Sequence, residues 1–187
     1  MTKKDIIFAL ICGLAVAWIG TDFFSKYALV FFILLPVLSV FGLWVADLIG
    51  KKFLFVRQAA KFSLAGGFAD VVDIKAFQLL FWLLPFSLFI KAISFVAGTL
   101  VKYFCDKYWA FNTPENDPKS TPMHKEMIKF FLVAGVGLLI NVVSFYFFGK
   151  IKTSMPAKTW TELVIILATI VTAVWNFCGY KYLVFKK

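Results

Sequence analysis

KFSLAGGFADVVD, residues Lys61 to Asp73, returns without a gap as KFFLVAGVGLLIN, residues Lys129 to Asn141. Further along, YFCDKYWAF (Tyr103 to Phe111) returns as FCGYKYLVF (Phe177 to Phe185). Both copies open on Lys-Phe and close on Lys-Tyr-x-x-Phe, and each encloses two apolar runs. The repeating unit, 61–111 and again 129–185, therefore reads as a two-helix hairpin that enters and leaves a membrane on the same side. Two such hairpins have the same orientation, which makes them a parallel repeat about an axis along the membrane normal.

Working outward, the apolar runs cover about 6–24, 28–50, 62–84, 87–108, 128–149 and 161–180. A spanning helix needs roughly 20 apolar residues to cross about 30 Å of hydrocarbon, so each run is long enough. The expected fold is an all-α membrane protein of six transmembrane helices, with a four-helix core made of the two hairpins. The expected domains are an N-terminal two-helix hairpin, 1–57, and a four-helix domain, 58–187. Pro36 lies inside the second run and is expected to kink it, because proline has no amide donor. Residues 51–61 read as a basic connection, Pro85 ends the third run, and 112–125 is the long polar loop. The first run follows Lys3-Lys4-Asp5, but Gly20-Thr21-Asp22 is a poor cleavage site and a second run follows at once. It reads as a retained helix.

Composition agrees. Of 187 residues 61% are apolar and 16% charged, with mean hydropathy +0.86, whereas soluble domains average about half apolar and a quarter charged. The net charge of +10 belongs to lysines at span ends rather than to a basic patch, which excludes nucleic acid as a partner. With the N-terminus inside, cytoplasmic segments hold 14 of the 20 basic residues and outer loops hold four, Lys26, Lys150, Lys152 and Lys158. The positive-inside bias thus places both termini in the cytoplasm. Cys12, Cys105 and Cys178 are far apart, form no CxxC and have only His124 for company, so no zinc site is expected. No nucleophile triad, phosphate loop or carboxylate pair of the glycosidase kind is present, so neither catalysis nor a cofactor is expected.

These motifs resemble the GtrA-like family, small bacterial membrane proteins of cell-surface polysaccharide synthesis. The resemblance covers about 58–187. It rests on Lys61-Phe62, Gly66-Gly67 and Asp73, on the Tyr103–Phe111 string against Phe-x-x-Asn-Arg-x-Trp-x-Phe, and on Asn176-Phe177, Tyr180-Lys181 and Phe185. Asp106 and Tyr180 depart from the family's Asn, and 1–57 lies outside the resemblance. It implies movement of a polyprenyl-phosphate-linked sugar across the bacterial cytoplasmic membrane, or a scaffold for the membrane glycosyltransferase that uses such a lipid. A small multidrug exporter is a third reading, disfavoured by the lysine-rich spans.

Ionisable groups inside hydrocarbon cost at least ~2.5–3.5 kcal/mol, which marks them as functional or paired. Asp70 and Asp73 lie roughly 13 and 18 Å beyond Lys61 at about 1.5 Å per residue, and Asn141 matches Asp73 in the repeat. They are candidates for a midplane site binding a sugar hydroxyl or a proton; interhelical hydrogen bonding is the structural alternative. Lys75 and Lys91 are candidates for a lipid phosphate on the outer side, against pairing with a carboxylate or snorkelling. At the inner ends, Lys102, Asp106 and Lys107 correspond to Asn176, Tyr180 and Lys181. Lysine suits phosphate and amides suit sugar hydroxyls, while plain anchoring is adequate for Lys107 and Lys181. Gly66, Gly67, Gly135 and Gly137 read as close-packing positions. Four helices make a thin wall around such a cargo, so a homodimer is the expectation.

Overall fold

The computed structural model describes residues 1–81, 87–111, 122–151, 153 and 157–185. The Pro85 turn, the 112–121 part of the polar loop with Lys119, and Lys152, Lys186 and Lys187 lie outside the described residues. Within them the chain is all-α, with six long helices: α1 (Lys3–Phe23), α2 (Ala28–Gly50), α3 (Leu54–Phe81), α4 (Ser87–Cys105), α5 (Met123–Gly149) and α6 (Ala157–Gly179). Four stretches meet the length and apolarity of a membrane span on composition alone: Lys3–Asp22, Ser25–Gly50, Met123–Gly149 and Leu163–Val184. The charges that dilute α3 and α4 pair among themselves and with α1, as described below. The protein is an all-α, multi-pass membrane protein.

The chain divides into two compact units, Met1–Asn112 and Thr113–Lys187. In the first, α1 starts on a capping box: Thr2 Oγ1 accepts from the Asp5 amide at 3.2 Å, and the Asp5 carboxylate accepts from the Thr2 amide at 2.9 Å. α2 runs through Pro36 without interruption. At that level α1 approaches α2 backbone to backbone, because a Cβ on Gly13 would stand 2.5 Å from Pro36 Cα and 2.8 Å from the Leu35 carbonyl oxygen. A core of Ala9, Cys12, Leu43, Ala65 and Trp109 joins α1, α2 and α3 to the segment after α4. The N-terminal hairpin is therefore packed onto the first repeat hairpin.

Two element boundaries differ from the expectation. α3 begins at Leu54, so Arg57 and Lys61 occupy its first turns instead of a connecting stretch. Their charges read as loop, but each has a carboxylate partner that keeps it in the helix. The closing motifs also do not continue as α-helix: Asp106–Ala110 and Tyr180–Val184 are π-helical turns. Each ends in the same bond, Phe111 N to Asp106 O and Phe185 N to Tyr180 O, both at 2.8 Å. The wider π turn appears at the same register in both copies, so the duplication extends to backbone geometry.

Candidate functional site

Each repeat hairpin has a foot, where its first helix begins and its second stops. In the first unit, α3 supplies the Lys-Phe opening and the π turn supplies the ending. Phe62 and Phe111 rings meet at 6.3 Å and 50°. In the second unit Phe130 and Phe185 meet at 6.2 Å and 55°. The same sequence signature thus builds the same aromatic joint twice. Phe130 in addition stacks on Tyr180 at 4.1 Å and 9°.

Lys102, one turn before the π segment, lies with its ammonium 3.8 Å from the centre of the Phe62 ring and 3.1 Å from Asp106. Asp106 is completely buried. Gly66 lies beside the ammonium, and a Cβ there would stand 3.6 Å from Lys102 Nζ, an ordinary contact distance. One repeat later the corresponding groups are neutral. Asn176 lies across Gly137, its Oδ1 in contact with the glycine, and that oxygen is buried without a hydrogen-bond partner among the described residues. Next to it, Trp175 Nε1 donates to the Val133 carbonyl at 3.1 Å.

Farther from the foot the correspondence continues. Asp73 accepts from Lys91 at 2.6 Å and from the fully buried Ser94 hydroxyl at 2.6 Å. Gly98 lets α4 come close there, since a Cβ would meet Asp73 Cβ and the Ala69 carbonyl oxygen at 2.9 Å. In the second unit Asn141 Nδ2 donates to Thr172 Oγ1 at 3.1 Å. One copy is thus a charged interhelical bond and the other an amide–hydroxyl bond at the matching position. Asp70 is exposed and is not bonded to Asp73.

The remaining candidates divide. Lys75 turns away from this hairpin to Asp22 of α1, at 2.6 Å, lying 4.6 Å from the Trp18 ring, and Gln78 donates to the same carboxylate at 3.2 Å. Lys107 is buried, its ammonium 3.3 Å from the Tyr103 hydroxyl. Lys181 lies 5.7 and 5.4 Å from the Phe177 and Tyr182 rings. Among the described residues no cluster of three or more potential metal ligands occurs.

Sequence reasoning passed over Asp5. Its buried carboxylate receives Lys61 at 2.5 Å, Arg57 at 3.1 Å and the Trp109 indole at 3.0 Å. Arg57 also reaches Asp47 of α2 at 3.0 Å. Asp5 therefore ties together the first and last motifs of the first repeat, Lys61 and Trp109. Its sequence signal was a lone acid in the first turn of an apolar helix, at the level of a basic stretch. In the second repeat the counterparts of Lys61 and Trp109, Lys129 and Leu183, are exposed.

These features define a class: a polytopic helical protein whose duplicated hairpin carries polar groups along its interhelical seam. The family model for the GtrA/DPMS transmembrane domain matches residues 61–185, and the chain belongs to that family. It is a family of membrane proteins concerned with sugars on glycosyl carrier lipids. No curated protein and no solved structure matches the chain.

Proposed function

We propose that this chain moves a polyprenyl-phosphate-linked sugar across the bacterial cytoplasmic membrane, with both of its ends in the cytoplasm. The observation that carries the reading is the polar seam occurring at the same register in both hairpins: Asp73 with Asn141, and Lys102 with Asn176. Passage of a sugar headgroup requires hydrogen-bond partners at successive depths, because bare hydrocarbon offers none. Carboxylates and amides accept and donate to sugar hydroxyls, and the Lys102 and Lys91 ammonium groups are point charges for the lipid phosphate. The polyprenyl tail stays in lipid. No bond is made or broken, so the role is transport and not catalysis.

The test is reconstitution of the full chain into liposomes with a labelled polyprenyl-phosphate sugar. Headgroup transfer above empty liposomes, reduced at least tenfold by Asp73→Ala or Lys102→Met in folded protein, is the expected result. Absence of transfer across a panel of sugars sinks it. If the chain then co-purifies with a membrane glycosyltransferase, the scaffold reading takes its place.

A further inference from the structure

Between α1 and α3 lies a cleft of about 620 Å³, lined by Ala15 and Trp18 of α1 and by residues of α3 from Phe68 to Leu79. That volume is within the range of ligand sites, about 300–1,000 Å³. Ala15 and Ala76 are too short to close it. The walls are apolar except at one end, where Lys75 and Gln78 stand. From Phe68 to Leu79 the cleft follows α3 for about 16 Å at roughly 1.5 Å per residue. That is close to half of the about 30 Å of hydrocarbon in a bilayer, so the cleft has the depth of one leaflet.

Its polar end is level with the end of α1, where Asp22 is the next-to-last residue. Lys75 Nζ lies 2.6 Å from Asp22 Oδ2 and 4.6 Å from the centre of the Trp18 ring. Gln78 donates to the same oxygen, Oδ2, at 3.2 Å. Asp22 Oδ1 is left without a partner among the described residues, and the side chain is 33% exposed. An ammonium has three donors, and Lys75 spends one on Asp22. The mouth of the cleft therefore presents a cation and a free carboxylate oxygen side by side, with no net charge. A purely anionic headgroup gains Lys75 but meets Asp22. A headgroup that carries both a phosphate and an ammonium satisfies both.

We propose that this cleft holds one bilayer phospholipid with a primary-ammonium zwitterionic headgroup, a phosphatidylethanolamine. One acyl chain fills the apolar length, the phosphate meets Lys75, and the ammonium meets Asp22 Oδ1 beside the Trp18 ring. The occupant is a lipid of the bilayer and not carrier-linked cargo, for two reasons. The depth suits a chain confined to one leaflet, whereas a polyprenyl chain is far longer. In addition, α1 lies outside residues 61–185 of the family domain, so the cleft joins a family helix to an added one, apart from the duplicated seam. The lipid closes the gap between them and fastens the N-terminal hairpin at this level.

The experiment needs no transport, so its failure and failure of the transport reading are distinguishable. Purified full chain in mild detergent is titrated with phosphatidylethanolamine, phosphatidylglycerol and phosphatidylcholine of identical acyl chains, and with a polyprenyl phosphate. Native mass spectrometry counts the bound lipid, and circular dichroism confirms the fold of each variant. Wild type is expected to retain phosphatidylethanolamine about three- to fivefold over the others, the worth of one exposed ion pair. Asp22→Asn is expected to bring it down to the level of phosphatidylcholine. Ala76→Leu, which fills the cleft and keeps both charges, is expected to lower retention of every phospholipid. Equal retention of phosphatidylethanolamine and phosphatidylglycerol by wild type overturns the proposal. So does a preference that survives Asp22→Asn, or retention unchanged by Ala76→Leu, in folded protein. Tighter retention of the polyprenyl phosphate, lost in Ala76→Leu, gives the cleft to the cargo and overturns it as well.

Discussion

Replacing Asp5 by alanine removes the acceptor shared by Lys61, Arg57 and the Trp109 indole. Lys61 is only 9% exposed, so its ammonium cannot simply return to water. Removing one partner of a buried pair typically costs about 3–5 kcal/mol, most of it from the charge left behind. The N-cap itself survives, because Thr2 Oγ1 accepts from the backbone amide of residue 5. Arg57 is less affected, because it keeps Asp47 at 3.0 Å. In a chain of this size each kcal/mol corresponds to about 2–4 °C in Tm, so a drop of roughly 6–20 °C is expected. The assay is thermal unfolding in mild detergent followed by circular dichroism, with Asp5→Ala, Lys61→Met and the double variant measured together. The double variant is expected to recover at least half of the loss, since no uncompensated buried charge remains. A single variant within 2 °C of wild type, or a double variant as unstable as Asp5→Ala, would refute the assignment of Asp5 as the tie between motifs.

Gly13→Ala places a methyl 2.5 Å from Pro36 Cα and forces α1 off α2; a loss of about 1–3 kcal/mol is expected in the same unfolding assay. Thr172→Val removes the acceptor of Asn141 without changing shape. It is expected to cost about 0.6 kcal/mol and no more than about 1.7, the range for interhelical hydrogen bonds in membranes. Maleimide labelling of folded protein is expected to spare Cys12, which is 3% exposed, relative to the half-buried Cys105 and Cys178; mass spectrometry of peptides reads this directly.

The helices were legible because burial in lipid needs long apolar runs, and the duplication because two short motifs recur at fixed order. The start of α3 was not, since Arg57 and Lys61 read as loop until Asp5 and Asp47 are placed beside them by tertiary packing. Lys91 looked like a snorkelling lysine for the same reason; its partner Asp73 is on another helix. Lys75 likewise has its partner on another helix, Asp22 of α1. The π turns left a sequence trace only as the matched Lys-Tyr-x-x-Phe endings. Backbone hydrogen bonds of that register have no side-chain signature of their own. Asp5 was invisible because its meaning depends on a tryptophan 104 positions away.

That separation bears on how the chain is assembled. Helices of a membrane protein are inserted in the order of synthesis and find one another afterwards. The bond between Asp5 and Trp109 closes only when the ribosome has passed four helices, so α1 must wait in the bilayer with its acid unmatched by that indole. The first unit is consequently a late-closing structure, completed at its last turn. A break in translation or a frameshift before Trp109 leaves the N-terminal hairpin without the residue that fastens it.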